Sequence, residues 1–233
     1  EGRGCLQSDS RGFHDFDVLD HLFYACDGAP KDNLVVRLAA LFHDIGKPKT
    51  KRVLTENGIE TITFYNHERT GAEMTKKILT RLRFPAKTAD AVSHLVAGHM
   101  FHYESAWSDA AVRRFIVRTG TECIDDLFDL RLADIYGMKK EPVRMHDSAV
   151  GKNLVELKKR IEAVQKENSA LSLKDLAVSG DDLADAGIPR GKEMGCVLKE
   201  LFDTVLDDPK ENTKEKLLAI AQNIYRKTGT ETK

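Results

Sequence analysis

Residues 33–50 read NLVVRLAALFHDIGKPKT, and the fold is decided by the two polar residues that close the apolar run in that stretch. Leu34 to Phe42 is apolar at every position except Arg37, the pattern of a helix entering a core, and it runs straight into His43 and Asp44. An imidazole and a carboxylate at such a place are costly to bury unless something neutralises them. A bound divalent metal does so directly.

The remainder of the chain has to supply partners for that pair. With 233 residues, 41% hydrophobic and 31% charged, it can bury a core and suits one large or two small domains. Lys and Arg number 36 against 37 Asp and Glu, so any RNA contact must come from local patches rather than overall basicity. Four scattered cysteines, Cys5, Cys26, Cys123 and Cys196, form no C-x-x-C pair. That pattern argues against a zinc knuckle or disulfide framework and fits a reducing, cytoplasmic setting. No apolar stretch approaches the roughly 20 residues of a membrane span. The opening residue is Glu1, which is consistent with a piece of a longer protein.

Apolar residues recur at three and four spacing over residues 13–25, 34–42, 68–82, 86–98, 109–119, 122–136 and 149–168, which predicts helices. Asn66, Ser108 and Thr121 stand where N-caps belong; Gly28, Gly120 and Gly137 stand where helices end. One strand-like piece, KRVLTENGIETITFY (residues 51–65), carries Asn57-Gly58 between β-branched residues and predicts a small hairpin flap between two helices. After residue 168 the texture changes to shorter helices and a final one near residues 213–226. The expected fold is therefore all-α, a helical bundle at residues 13–168 with a β-hairpin flap, followed by a helical subdomain at residues 169–228.

On a helix, His14, Asp17 and His21 share one face with Val18 and Ala25, so His21 points inward. Asp134 lies on the side carrying Leu127 and Leu130 and wants a cation, either Arg131 or a metal. His67 opens a helix, where a charged ring would oppose the positive end of the dipole and a neutral ligating ring fits better. His99 extends the stripe Val92, Leu95, Val96, whereas His94 lies on another side. Any one of His67, His94, His99 or His102 alone reads as a hydrogen-bonded core histidine. The set His21, His43-Asp44 and Asp134 is hard to explain as packing and offers the mixed N and O donors that suit Mn, Fe, Ni, Co, Mg or Zn.

That order, His…His-Asp…Asp with HDIGK intact, resembles the HD superfamily of metal-dependent phosphohydrolases. More narrowly, GFHDFDVLDHLFYA, LAALFHDIGKPKT, FYNHERTGAEMTKKILTRLRF and VSGDDLADAGIPRGKEMGCVLKELFDTVL resemble the carboxy-terminal part of bacterial tRNA nucleotidyltransferases and poly(A) polymerases that carry an HD domain. The resemblance implies a metal held by His21, His43, Asp44 and Asp134. Asp44 would also accept a proton, and Lys47 would contact a phosphate oxygen. It further implies a possible second metal at His67 and His99, with Gly98 standing where the family's paired histidine begins, and support from His14, Asp17 and Arg131. The Gly-Ser turn and paired carboxylates of the polymerase head are not found, so the chain by itself is not expected to add nucleotides.

The implied substrates are phosphomonoesters and 2′,3′-cyclic phosphates, and the implied partners are tRNA or RNA 3′ ends and nucleotide phosphates. Arg190 and Lys192, around a Gly-Ile-Pro-Arg-Gly turn, would receive an RNA backbone phosphate. Arg113, Arg114 and Arg118, or Lys139, Lys140 and Arg144, offer further basic strips. Two other readings stand beside this one: a non-catalytic body that positions RNA, and a stand-alone nucleotidase or phosphodiesterase. The intact ligand set disfavours the first, and the segment from VSGDDL to GCVLKEL disfavours the second.

Overall fold

The computed structural model describes residues 2–7, 16–56, 59–143, 145–167 and 170–230. Among the described residues the regular structure is helical apart from one hairpin. Its elements are α1 (Val18–Gly28), α2 (Leu34–Phe42), the single turn α3 (Lys47–Thr50), β1 (Arg52–Glu56), β2 (Ile59–Thr63), α4 (His67–Arg81), α5 (Ala86–Gly98) and α6 (Asp109–Thr119). These continue with α7 (Ile124–Lys139), α8 (Ala149–Lys166), α9 (Gly180–Asp185), α10 (Lys192–Asp207) and α11 (Lys214–Thr230). No described helix is long and apolar enough to cross a membrane.

The helix starts are written locally. The Asp17 carboxylate accepts from the Asp20 N–H at 2.9 Å and starts α1. The Asn33 side chain accepts from Val36 N–H at 3.2 Å at α2, and the Ser108 hydroxyl from Ala111 N–H at 3.2 Å at α6. Asn66 precedes α4 as expected, but in a left-handed conformation (φ 61°) with no side-chain cap. Thr121 opens a 3-10 turn that leads into α7.

Two expected helix ends are corrected. Gly28 is the last residue of α1 itself, and Gly137 lies inside α7, which runs on to Lys139. Gly137 is there for close approach: a Cβ would sit 2.9 Å from both Ala25 Cβ and His21 O, so its absence lets α7 press against α1. The hairpin is antiparallel, and its register sets Glu56 opposite Ile59. That leaves two residues between the strands; they are Asn57 and Gly58, which lie outside the described residues.

Contacts divide the chain into two units, residues 1–103 with 122–154, and residues 104–121 with 155–233. The composition boundary near residue 168 does not mark this division, because α6 and the later part of α8 group with the second unit. In the first unit, α1 packs on α7 and α2, α4 on α5, and α2 on α5 and α7. Its core is Val18, Leu22 and Ala25 of α1, Val36, Ala39 and Ala40 of α2, Val92, Leu95 and Val96 of α5, and Leu127 and Leu130 of α7. The second unit is built on α10, whose Met194, Val197, Leu201 and Val205 repeat at three and four spacing and pack with Leu183, Ile188, Leu217 and Ala221.

Candidate metal centre

Four inward positions of the first unit converge. His21 Nε2 lies 3.0 Å from His43 Nε2, 3.4 Å from Asp44 Oδ2 and 3.2 Å from Asp134 Oδ1. His43 Nε2 lies 3.4 Å from each of the same two carboxylate oxygens. All four side chains are buried. Two donors held about 2.1 Å from one ion stand about 3.0 Å apart at a right angle and about 3.4 Å apart at the tetrahedral angle. The five separations span that interval, as donors around a single divalent cation would.

The second carboxylate oxygen of Asp44 faces the other way. Oδ1 lies 3.2 Å from His67 Nε2 and 3.7 Å from His99 Nε2, and those two nitrogens are 3.3 Å apart. His21, His43 and Asp44 form one group able to hold a metal; Asp44, His67 and His99 form another. The start of α4 reaches Asp44 because of Gly46. A Cβ there would lie 2.2 Å from His67 O and 2.7 Å from Gly71 N.

The ring orientations are fixed from behind. Nδ1 of His43 donates to Ala40 O (2.9 Å), that of His67 to Phe64 O (2.8 Å) and that of His99 to Val96 O (2.7 Å). A carbonyl only accepts, so each Nδ1 carries a proton and each Nε2 is turned toward the cluster. Facing Nε2 atoms repel when both are bare, and a proton or a metal cation between them relieves the repulsion.

Charge is shared among the same groups. Burial alone would raise the Asp44 and Asp134 carboxyls, but Lys47 and His43 beside Asp44, and His21 and His43 beside Asp134, hold both well below the usual carboxylate range. Burial would lower His43, yet the carboxylates of Asp44 and Asp134 outweigh it and push the ring up to about 10. Burial lowers His99, which keeps that ring neutral.

Around the cluster lies a cleft of about 690 Å³, lined by the five residues His43, Asp44, His67, His99 and Asp134 and by Lys47, Arg131, Glu68, Gln7 and the hairpin end Ile62–Tyr65. Lys47 is no solvated loop lysine. It is buried, with Nζ 2.6 Å from Asp44 Oδ2 and 2.6 Å from Gln7 Oε1. Arg131 donates to Asp134 Oδ2 at 2.9 Å, leaving Oδ1 for the cluster.

Other expected residues lie elsewhere. Asp17 supports the helix that carries His21: α1 begins at Val18, the Asp17 carboxylate accepts from the N–H groups of Asp20 and Gly4, and its carbonyl accepts from the His21 N–H at 3.0 Å. His14 lies outside the described residues, as does Arg144. His94 and His102 are exposed and apart from the cluster, as the choice of His99 over His94 requires. Arg113 is withdrawn from the basic strip, because it is buried with its guanidinium donating to Leu206 O (2.7 Å) and Asp207 O (3.0 Å) at the end of α10. Arg190 is exposed beside Asp181, and Lys192 opens α10. Sequence reasoning missed Gln7 and Glu68; neither breaks an apolar stripe, so neither gives a signal.

Comparison with known proteins places this geometry. A family model described as the HD domain matches residues 12–139. The A-adding tRNA nucleotidyltransferase of Deinococcus radiodurans is 38% identical over 138 residues, 58% of this chain and 30% of that protein. The CC-adding tRNA nucleotidyltransferase of Thermus thermophilus is 32% identical over 218 residues, 94% of this chain and 45% of that protein. The multifunctional CCA protein of Verminephrobacter eiseniae is 37% identical over 109 residues, 45% of this chain and 24% of that protein. The chain thus spans less than half the length of each of these curated relatives.

Proposed function

Because the chain belongs to the HD-domain family, we propose that it is a metal-dependent phosphohydrolase acting on phosphomonoesters and 2′,3′-cyclic phosphodiesters at RNA 3′ ends or on nucleotides. The observation that carries this reading is the convergence at His21 and His43, whose Nε2 atoms lie 3.0 Å apart and each within 3.2–3.4 Å of a carboxylate oxygen of Asp44 and of Asp134, with His43 locked so that its Nε2 points inward. His21, His43, Asp44 and Asp134 would hold one divalent ion, and Asp44, His67 and His99 a second. Bound there, such ions lower the pKa of water and stabilise charge on a phosphoryl oxygen.

The chain's own groups do the rest. Lys47, braced by Gln7 and Asp44, offers an ammonium to a phosphate oxygen. The proton of the attacking water goes to a carboxylate of the site, Asp44 in the cluster or Glu68 on the cleft wall. Arg131 holds Asp134 so that one oxygen faces the cluster. Similarity to tRNA nucleotidyltransferases over most of the chain supports RNA as the partner, with Arg190 and Lys192 as backbone contacts. A body that only positions RNA would leave the facing Nε2 lone pairs without a purpose, which favours catalysis.

The test is elemental analysis of the purified chain together with hydrolysis of 2′,3′-cyclic and 2′-phosphate nucleotides across Ni, Mn, Co, Mg, Fe and Zn. Asp44→Ala should abolish both metal content and turnover while helicity persists, since one ligand is lost and little apolar area. Turnover that survives the substitution would overturn the assignment.

A further inference from the structure

We infer that Tyr65 is a stacking platform for a nucleobase at the mouth of the metal cleft, so that the cleft selects phosphate esters of nucleosides over phosphate esters at large. The inference rests on the phosphohydrolase reading of the same cleft. Tyr65 and Met100 are 70% and 61% exposed, the two most exposed large hydrophobic side chains among the described residues. Single exposed apolar residues are ordinary. Here the two greatest instances line one cleft, the one that also holds Asp44, His67 and Lys47.

The backbone that carries Tyr65 is held in place by the centre itself. The carbonyl of Phe64 accepts both from His67 Nδ1 (2.8 Å) and from His67 N–H (3.2 Å), and Asn66 turns the chain in the left-handed region (φ 61°). The corner two residues from His67, pinned by that histidine, therefore sets where the Tyr65 backbone stands relative to a phosphate in the cleft. The volume of the cleft, about 690 Å³, lies within the range of small-molecule sites and exceeds what a phosphate group alone would fill. The charged groups, Asp44, Asp134, Arg131 and Lys47, take the phosphate end. Beside the polar walls Gln7, Asn66 and Glu68 the cleft also offers an aromatic face and a thioether, surfaces that accept the flat face of any base.

The test uses the ion-loaded full chain with adenosine 2′-phosphate and glycerol 2-phosphate, esters alike at phosphorus and different in having a base. Tyr65→Ala should raise KM for the nucleotide by about fivefold or more, the lower end of what stacking one base on a ring contributes. The value of kcat and the KM for glycerol 2-phosphate should hold, and Tyr65→Phe should restore the nucleotide. Kinetics read the effect where the ester turns over, calorimetry where it does not. An oligoribonucleotide ending in the same phosphate separates the sources: a loss greater there than on the mononucleotide assigns the platform chiefly to RNA ends, and equal loss assigns it to both. If the wild type turns over both esters and Tyr65→Ala changes them equally or not at all, the platform is refuted while the hydrolase stands. If neither ester turns over but Tyr65→Ala still weakens binding of the nucleotide alone, the platform stands and the hydrolase reading falls.

Discussion

His67 and His99 present their Nε2 atoms to each other at 3.3 Å while each gives its Nδ1 proton to the carbonyl three residues earlier. His43 uses the same device on Ala40. A residue near a helix end can reach that carbonyl without leaving the backbone path, so three rings are aimed by one local rule. The consequence is a surplus of lone pairs around Asp44, and a cation relieves it.

Two ions should therefore bind, and they should separate by mutation. Titrating the metal-free chain with Mn is expected to give two equivalents, and His99→Ala one. Wild type should gain about 2.7 kcal/mol at an ion concentration one hundred times Kd, read as a rise in Tm. A single equivalent in both proteins would remove the second site.

Ion binding should release protons. With no ion bound, burial acts against a charge on His43, but Asp44 and Asp134 outweigh it and raise the ring to about 10. The ring then carries a proton at neutral pH that an incoming ion must displace. A raised histidine stabilises the ion-free fold fully below its unfolded value near 6.5, and this contribution is lost as pH rises through about 10. The lowered carboxyls of Asp44 and Asp134 work in the opposite sense: their contribution is present above the ordinary carboxylate range and lost as pH falls through their depressed values. Calorimetry in buffers of different ionisation enthalpy should report proton release at pH 7 and an affinity that climbs with pH; a buffer-independent enthalpy contradicts it.

Arg131→Leu removes the group that holds Asp134 Oδ2. Outer partners of this kind are worth about 10- to 100-fold in metal affinity. The expected result is weaker ion binding, with turnover recovered at high ion concentration. Loss of turnover that no ion concentration restores would instead give Arg131 a direct part in the reaction.

Gly46→Ala places a methyl 2.2 Å from His67 O, so backbone must move. Overpacking of this sort costs about 1–3 kcal/mol. Here it also pushes α4, and His67 with it, away from Asp44. Thermal denaturation should show the loss, and the second equivalent of metal should weaken more than the first.

The residues of the cluster were legible because each is polar in a slot that periodicity reserves for an apolar side chain: His21 beside Val18 and Ala25, Asp134 beside Leu130, His99 after Val96. Asp17 shows the same pattern one turn earlier, and its carboxylate serves there to start the helix that presents His21. Arg113 looked like one member of a basic strip, because its partners at Leu206 and Asp207 are more than ninety residues away in sequence. Gly137 carried the composition of a helix end while serving a close crossing of α1 and α7. Gln7 gave no sign at all, since its part depends on Lys47 folding back across the cleft.

RNA binding is tested on the turn between α9 and α10, where Gly187 and Gly191 both take positive φ and Arg190 stands exposed beside Asp181. Changing Arg190 and Lys192 together to Glu reverses two charges at the start of α10 without touching its buried face, Met194, Val197 and Leu201. If both contact phosphates, tRNA affinity should fall and the slope of log affinity against log salt should flatten by about 2. Hydrolysis of glycerol 2-phosphate should be unaffected, because neither side chain lines the metal cleft. An unchanged slope would place the RNA contact elsewhere on the chain, with Arg118 and Lys139 the next residues to reverse, since both are exposed and Arg113 is spent on its carbonyls.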